Sequence, residues 1–383
     1  MPKRSDPDRE SADVAGVGNR DGAVTPPSAE DGGTPRAATI RDVAARAGVS
    51  VATVSRALSG QYPVANATRA RVQRAVRDLD YVVNAHARAL TGSKSKTIAV
   101  LLSDIASPFY SRIAHGVEQQ ASAEKRLMMV CATHGDPERE VGLVEMLREQ
   151  SVDAVVLVGG IVDTPEYRER MARLARLLDT AGSRLVLCGR PSPGEDLPVT
   201  VVEYENSGGA FAAASYLMDK GHRDILFLGG VGPDTTTQDR LDGFRRALAS
   251  RDLSADEPGR ILTGGNSRQF GYDTIRARLL REELDFTAIL AWDDLVAAGA
   301  MTALREAGVD VPGRVSILGY NDEQIAQDLV PPLTSVSIPH TELGRSAVRL
   351  ALHREDPAVA SSQHITLGTH IVVRGSVREA ARR

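Results

Sequence analysis

The sequence predicts an α/β protein made of a small N-terminal helical headpiece and a larger two-lobed core of parallel sheets flanked by helices. Three observations predict it. Residues 39–58 carry two short helical patterns separated by a tight glycine turn. From Thr97 onward, short apolar runs alternate with amphipathic stretches, as strands and helices do when they follow one another along the chain. The 383 residues are 42% hydrophobic, enough for more than one core.

Residues 1–38 are rich in Gly, Pro, Asp and Ala and nearly lack large apolar side chains, so they read as a disordered arm. The headpiece follows over residues 39–82. Thr39 suits an N-cap, Asp42 sits three residues later near the positive helix end, and Gly48 suits the left-handed turn that stops the helix. Ser50 then caps a second helix from Val51 to Leu58. Ala44 is small enough for the two helices to cross closely, while Val43, Ala47, Val49 and Val54 supply a shared core. A third helix, Thr68 to Leu79, turns Val72, Val76 and Leu79 inward and Arg69, Arg71, Arg74 and Arg77 outward.

Charge separates this module from the rest. Residues 39–96 hold ten Lys/Arg against three acids, a local net of +7, although the whole chain is at −4. A basic end on an acidic body is expected where only that end meets a polyanion. In a helix-turn-helix the second helix enters the major groove, so Val51, Ala52, Thr53, Ser55 and Arg56 are candidates to face base edges. Arg56 can grip guanine with two donors, Val51 and Ala52 offer apolar contact to thymine methyls, and Thr39, Ser50 and Thr53 suit phosphates.

In the body the apolar runs are Ile98–Leu102, Leu127–Cys131, Ala154–Val158, Leu185–Cys188, Ile225–Leu228, Ile261–Thr263 and Ala288–Ala291. Between them lie helical stretches at Ser111–Ala123, Val141–Glu149, Gly208–Lys220, Gly243–Ser250 and Gly271–Leu280. A ligand in such a fold sits between the lobes, at the carboxyl ends of the strands. The turn Gly229-Gly230-Val231-Gly232 lacks the full dinucleotide fingerprint and reads as a plain strand end. No metalloprotease motif or nucleophile elbow occurs, and Cys131 and Cys188 lack the spacing of a zinc site. The expectations are therefore no catalytic residue, no metal, no cofactor and no enzyme. Two cysteines, no apolar run near membrane-spanning length and no apolar signal core lead to an expected cytoplasmic location, on the nucleoid when bound to DNA.

The run from Thr39 to Leu58 (TIRDVAARAGVSVATVSRAL), followed by Tyr81–Leu90 (YVVNAHARAL), closely resembles the DNA-binding end of LacI/GalR transcription regulators. The likeness continues through Ser107-Pro108-Phe109-Tyr110, Gly221–Ile225, Arg240–Phe244, Asp293-Asp294, Val315–Tyr320, Pro331–Val336 and Arg374-Gly375-Ser376. It implies a periplasmic-binding-protein-like core over residues 97–383. Lobe 1 would take about 97–203 and 339–366, and lobe 2 about 205–337 and 369–383, with crossovers near Glu203–Glu205, Ser337–Pro339 and Leu367–Thr369. It assigns residues 83–96 to a hinge helix and linker that fold on DNA, with Asn84, Arg88 and Leu90 as contacts and Leu90 as a minor-groove wedge.

Carried over by motif position, an effector cleft would be lined by Ser103, Asp104, Phe109 and Arg190 from lobe 1 and by Thr236, Arg240, Asn266, Asp293 and Asn321 from lobe 2. The resemblance implies a homodimer on a pseudo-palindromic operator, most simply a repressor, switched by a small molecule of sugar or sugar-derived type and not attached to a membrane. A solute-binding protein for uptake is the alternative, since the body alone fits that fold.

Overall fold

The computed structural model describes residues 38–59, 63–81, 95–281, 284–357 and 363–380; residues 1–37 of the expected arm and 83–94 of the expected hinge and linker, with Asn84, Arg88 and Leu90, lie outside the described residues. Two compact units divide between residues 83 and 84.

The first unit holds α1 (Ile40–Ala47), α2 (Val51–Ser59) and α3 (Asn66–Asp78). Thr39 and Asp42 form a reciprocal capping box: the Asp42 N–H donates to Thr39 Oγ1 at 3.4 Å and the Thr39 N–H donates to Asp42 Oδ2 at 2.8 Å. Gly48, at φ +63°, closes α1, and its N–H donates back to the last carbonyls of that helix. The Thr53 N–H donates to Ser50 Oγ at 3.2 Å, starting α2. Val43, Val54 and Val72 are fully buried together with Ala44, Ala47, Ala57 and Ala75. Tyr81 joins them, its N–H donating to the Val76 carbonyl at 3.0 Å as the chain folds back past α3. Because Tyr81 fills that end of the core, Val76 and Leu79 are only half-buried and Ala75 lies at the centre instead.

In the second unit one lobe contains β1 (Thr97–Leu102), α4 (Pro108–Ala123), β2 (Leu127–Ala132), α5 (Pro137–Glu149), β3 (Ala154–Val158), α6 (Pro165–Thr180), β4 (Arg184–Cys188) and β5 (Val199–Tyr204). The chain then builds the other lobe with α7 (Asn206–Asp219), β6 (Ile225–Leu228), α8 (Thr235–Ala249), β7 (Ile261–Leu262), α9 (Arg268–Leu280), β8 (Ala288–Ala291), α10 (Asp294–Glu306), β9 (Ser316–Asn321), α11 (Gln324–Asp328) and β10 (Thr334–Ser337). It returns for α12 (His340–Leu352) and β11 (His364–Leu367), and crosses once more to β12 (His370–Val372).

The two sheets have the orders β11-β5-β4-β3-β1-β2 and β12-β10-β9-β8-β6-β7. Every pairing is parallel except β12 on β10, which runs antiparallel and departs from the all-parallel expectation. Strands β1, β3 and β4 are buried along their whole length, as expected for parallel strands covered on both faces. The helices begin earlier than apolar periodicity alone places them. Pro108, Pro137 and Pro165 occupy first turns, and Asp136, Thr164, Asp234, Ser267 and Asp293 accept hydrogen bonds from the first-turn N–H groups. Helices pack closely where glycines meet backbone: a Cβ on Gly116 would run into the Thr341 carbonyl of α12, and one on Gly299 into the Arg268 carbonyl of α9.

Candidate functional site

On the headpiece, Ser50, Val51, Ala52 and Arg56 are exposed, and Thr39, Thr53 and Ser55 are half-buried. The apolar side of α2 faces inward through Val54 and Ala57, so packing leaves Val51, Ala52 and Arg56 outward, with Thr53 and Ser55 at the margin. Ser50 Oγ and Thr53 Oγ1 lie 2.9 Å apart. Arg71, Arg74 and Arg77 are exposed along α3, and Arg46 pairs with Asp78 at 3.4 Å.

The second unit has a cavity of about 1120 Å³ between its lobes, and all nine residues expected at a cleft line it. Ser103 and Asp104 follow β1, Phe109 begins α4, and Arg190 follows β4; on the facing lobe Thr236 and Arg240 stand on α8, Asn266 precedes α9, Asp293 follows β8 and Asn321 ends β9. These are carboxyl ends of parallel strands, where side chains from several strands converge.

Arg240 is the most constrained of them. It is 1% exposed, its guanidinium carbon sits 3.7 Å from the centre of the Tyr320 ring and 4.8 Å from that of Trp292. Nε donates to Asn206 Oδ1 at 3.1 Å, Nη2 to Asn321 Oδ1 at 3.1 Å, and Nη1 to the Trp292 carbonyl. Asn321 has φ +95°, a backbone region that is strained for any residue other than glycine. Asp293 caps α10 through the Val296 N–H at 2.7 Å. Burial pushes its carboxyl up to about 7 against the pull of that N–H, and the nearby Glu323 adds to the rise.

Arg190 lines the cavity but is held by its own lobe. Nε donates to the Gly159 carbonyl at 2.8 Å, Nη1 to Glu140 Oε1 at 3.1 Å and Tyr167 Oη at 3.3 Å, and Nη2 to the Val158 carbonyl at 3.3 Å, with Glu140 Oε2 at 2.9 Å. Its donors serve the wall of lobe 1. Phe109 meets Tyr110 and His340 edge-on and leans on Tyr204. Asn266 and Asp104 are the most open of the set.

Sequence reading missed Tyr110, Glu140, Tyr167, Tyr204 and Glu323 in the lining. Glu140 carried a usable signal, a carboxylate beside the apolar Val141 and Val144 of α5. Tyr110, Tyr204 and Glu323 sit at strand and helix ends, where periodicity carries no information, and Tyr167 opens the buried stripe of α6, whose many charges mask it.

The family model for bacterial regulatory proteins of the lacI family matches residues 39–84, and that for a periplasmic binding protein-like domain matches residues 214–377. The HTH-type transcriptional regulator DegA of Bacillus subtilis is 32% identical over 88% of this chain and 97% of its own length. The HTH-type transcriptional repressor PurR of Haemophilus influenzae is 31% identical over 89% of this chain and 99% of its own. The chain belongs to the LacI family. A solved complex of the transcriptional regulator CelR with cellobiose, 32% identical, superposes with a TM-score of 0.62 over 88% of this chain and 99% of that one.

LacI-family membership makes the protein a transcriptional regulator and not an enzyme. It also accounts for the two kinds of surface described: a headpiece that turns polar and cationic groups outward, and a body that turns them into a cavity. No helix among the described residues is long and apolar enough to cross a membrane.

Proposed function

We propose that this LacI-family regulator binds double-stranded operator DNA as a homodimer, acts as a repressor, and has its operator affinity switched by a small molecule held between the lobes. One observation carries the reading: nine residues chosen by motif position, distant in sequence, line a single cavity. Val51, Ala52, Ser55 and Arg56 read base edges, Thr39, Ser50 and Thr53 hold phosphates, and Asn84, Arg88 and Leu90 act at the centre of a pseudo-palindromic site. Two-fold symmetry matches two headpieces to two half-sites. The work is done in the cytoplasm, on the nucleoid.

The effector is a neutral polyol of sugar or sugar-derived type. Arg190 is already paired with Glu140, and Asp104, Asp136 and Asp234 share the cavity wall with it, which disfavours an anion. Arg240, Asp293 and Asn321 offer donors and acceptors to hydroxyls, and Phe109 and Trp292 offer ring faces to C–H surfaces. A relative solved with cellobiose supports the class.

The test is capture of genomic DNA by the purified protein, then titration of the recovered fragment with and without each member of a sugar panel. Dimeric binding to a two-fold site, altered by at least one sugar, is the expected result. A monomer, or no preference over random competitor at moderate salt, overturns the reading.

A further inference from the structure

The two lobes are tied to each other beside the cavity by hydrogen bonds between backbone segments. The Thr235 N–H, at the start of α8, donates to the Ile161 carbonyl at 2.8 Å, and the Ile161 N–H donates to Thr235 Oγ1 at 3.2 Å. Val162 and Asp234 pair beside them as an antiparallel bridge. Ile161 and Val162 follow β3 in one lobe, whereas Asp234 and Thr235 follow β6 in the other, so a short sheet-like contact spans the cleft. Gly160 lets it form: a Cβ there would lie 2.6 Å from Thr236 Oγ1 and 3.1 Å from Asp234 Oδ1.

Both strips of backbone are held ready before they meet. Arg190 fixes the Gly159 carbonyl, the Gly159 N–H donates to the Cys188 carbonyl at 3.0 Å, and Thr164 caps α6 through the Tyr167 N–H at 3.2 Å. Opposite them, Asp234 Oδ1 caps α8 through the Thr237 N–H at 3.1 Å, and Thr237 Oγ1 accepts from the Val231 N–H at 3.3 Å. Little ordering is left to be done when such segments join.

We propose that Gly160–Val162 and Asp234–Thr235 form a latch that holds the lobes together and so sets the balance between open and closed protein. Arg190, which the motif position marks for ligand contact, is a positioning residue for the latch. A ligand in the cavity then shifts an equilibrium whose starting point this contact determines, and it moves that balance only by its differential affinity for the two arrangements. Thr236, on the cavity wall, is brought to Gly160 by the same closure.

Amide hydrogen exchange on the full-length protein tests this without knowledge of the effector. In the wild type the Ile161 and Thr235 amides exchange slowly. In Gly160→Val, and in Thr235→Val, which removes the hydroxyl at nearly constant volume, the Ile161 amide exchanges roughly tenfold faster while amides of β3 and β6 keep their protection. Thr235→Ser restores protection of Ile161. Small-angle scattering shows a larger radius of gyration for the two valine variants. Wild-type latch amides that exchange at free-loop rates, or protection unchanged in Thr235→Val, overturn the proposal. Loss of β3 protection in Gly160→Val reports a folding defect, and Thr235→Val then decides alone.

Discussion

Arg240 Nη2 donates to Asn321 Oδ1 at 3.1 Å, joining the middle of α8 to the strained end of β9. Stacked on Tyr320 and buried, the guanidinium holds Asn206, the Trp292 carbonyl and Asn321 in one arrangement. Each of those acceptors belongs to a different element, so the cavity floor is fixed by one cation instead of by packing alone.

Arg240→Ala therefore leaves several buried acceptors unpaired and lowers core stability by about 3 kcal/mol, read as a fall in melting temperature of roughly 5–10 °C. Arg240→Lys does not restore it, because an ammonium cannot span three acceptors in one plane. A melting temperature within a degree of wild type for either variant counts against this account.

At the other end of the chain, Thr39→Ala removes the hydroxyl that accepts from the Asp42 N–H and donates to Asp42 Oδ2 at 2.7 Å. The headpiece loses about 1 kcal/mol, a large share for three short helices around a core of valines and alanines. Melts followed separately for the two units should move only the headpiece transition; a shift in the core transition would show that the cap acts elsewhere.

The headpiece was legible because its signals are local: Thr39, Asp42, Gly48 and Ser50 each act on the nearest helix turn, the three polar residues through their side chains and Gly48 through its left-handed backbone. Strands β1 to β4 and β6 to β8 were legible as apolar runs, but β5 and β9 to β12 were not; helix starts were not legible either, because capping by Asp136 or Asp234 interrupts the apolar periodicity. Helix α6, with its many charges, shows no long apolar run and was overlooked although Tyr167, Met171, Leu174 and Leu178 form a buried stripe. At the cavity, position could be carried over by motif but partnership could not. Arg190 and Arg240 look equivalent in sequence, yet one is held by Glu140 in the wall and the other lies flat on an aromatic ring. Long-range contacts decide that difference, and no spacing encodes them.

Arg56 stands exposed on α2 beyond the buried Val54. Arg56→Ala should weaken operator binding by about 1–3 kcal/mol and relax preference at one base pair per half-site. Competition binding over a set of single-base operator variants checks it; an equal loss on every sequence would instead assign Arg56 to a phosphate.

Gly299 of α10 meets the Arg268 carbonyl and Tyr272 N–H of α9 with no room for a methyl group. Gly299→Ala forces the two helices apart and costs about 1–3 kcal/mol, although alanine is the better helix former. Denaturant unfolding that places the variant above wild type would mean that the pair can separate freely.

Asp293 gives the core a pH dependence whose sign follows from its burial. Its carboxyl is raised from 3.8 to about 7, so the folded state favours the neutral form. The stabilising contribution is full below the unfolded value near 3.8, declines as the unfolded chain ionises, and is lost as pH rises through about 7, where the buried group must also carry its charge. Asp293→Asn keeps an N-cap for α10, because an amide oxygen still accepts from the Val296 N–H, but removes the ionisation. The substitution should therefore raise stability more at pH 8 than at pH 5, by a difference of about 1–3 kcal/mol. Urea unfolding of both proteins at the two pH values measures it, and a difference that is flat or reversed between them would show that Asp293 is ionised in the folded core throughout.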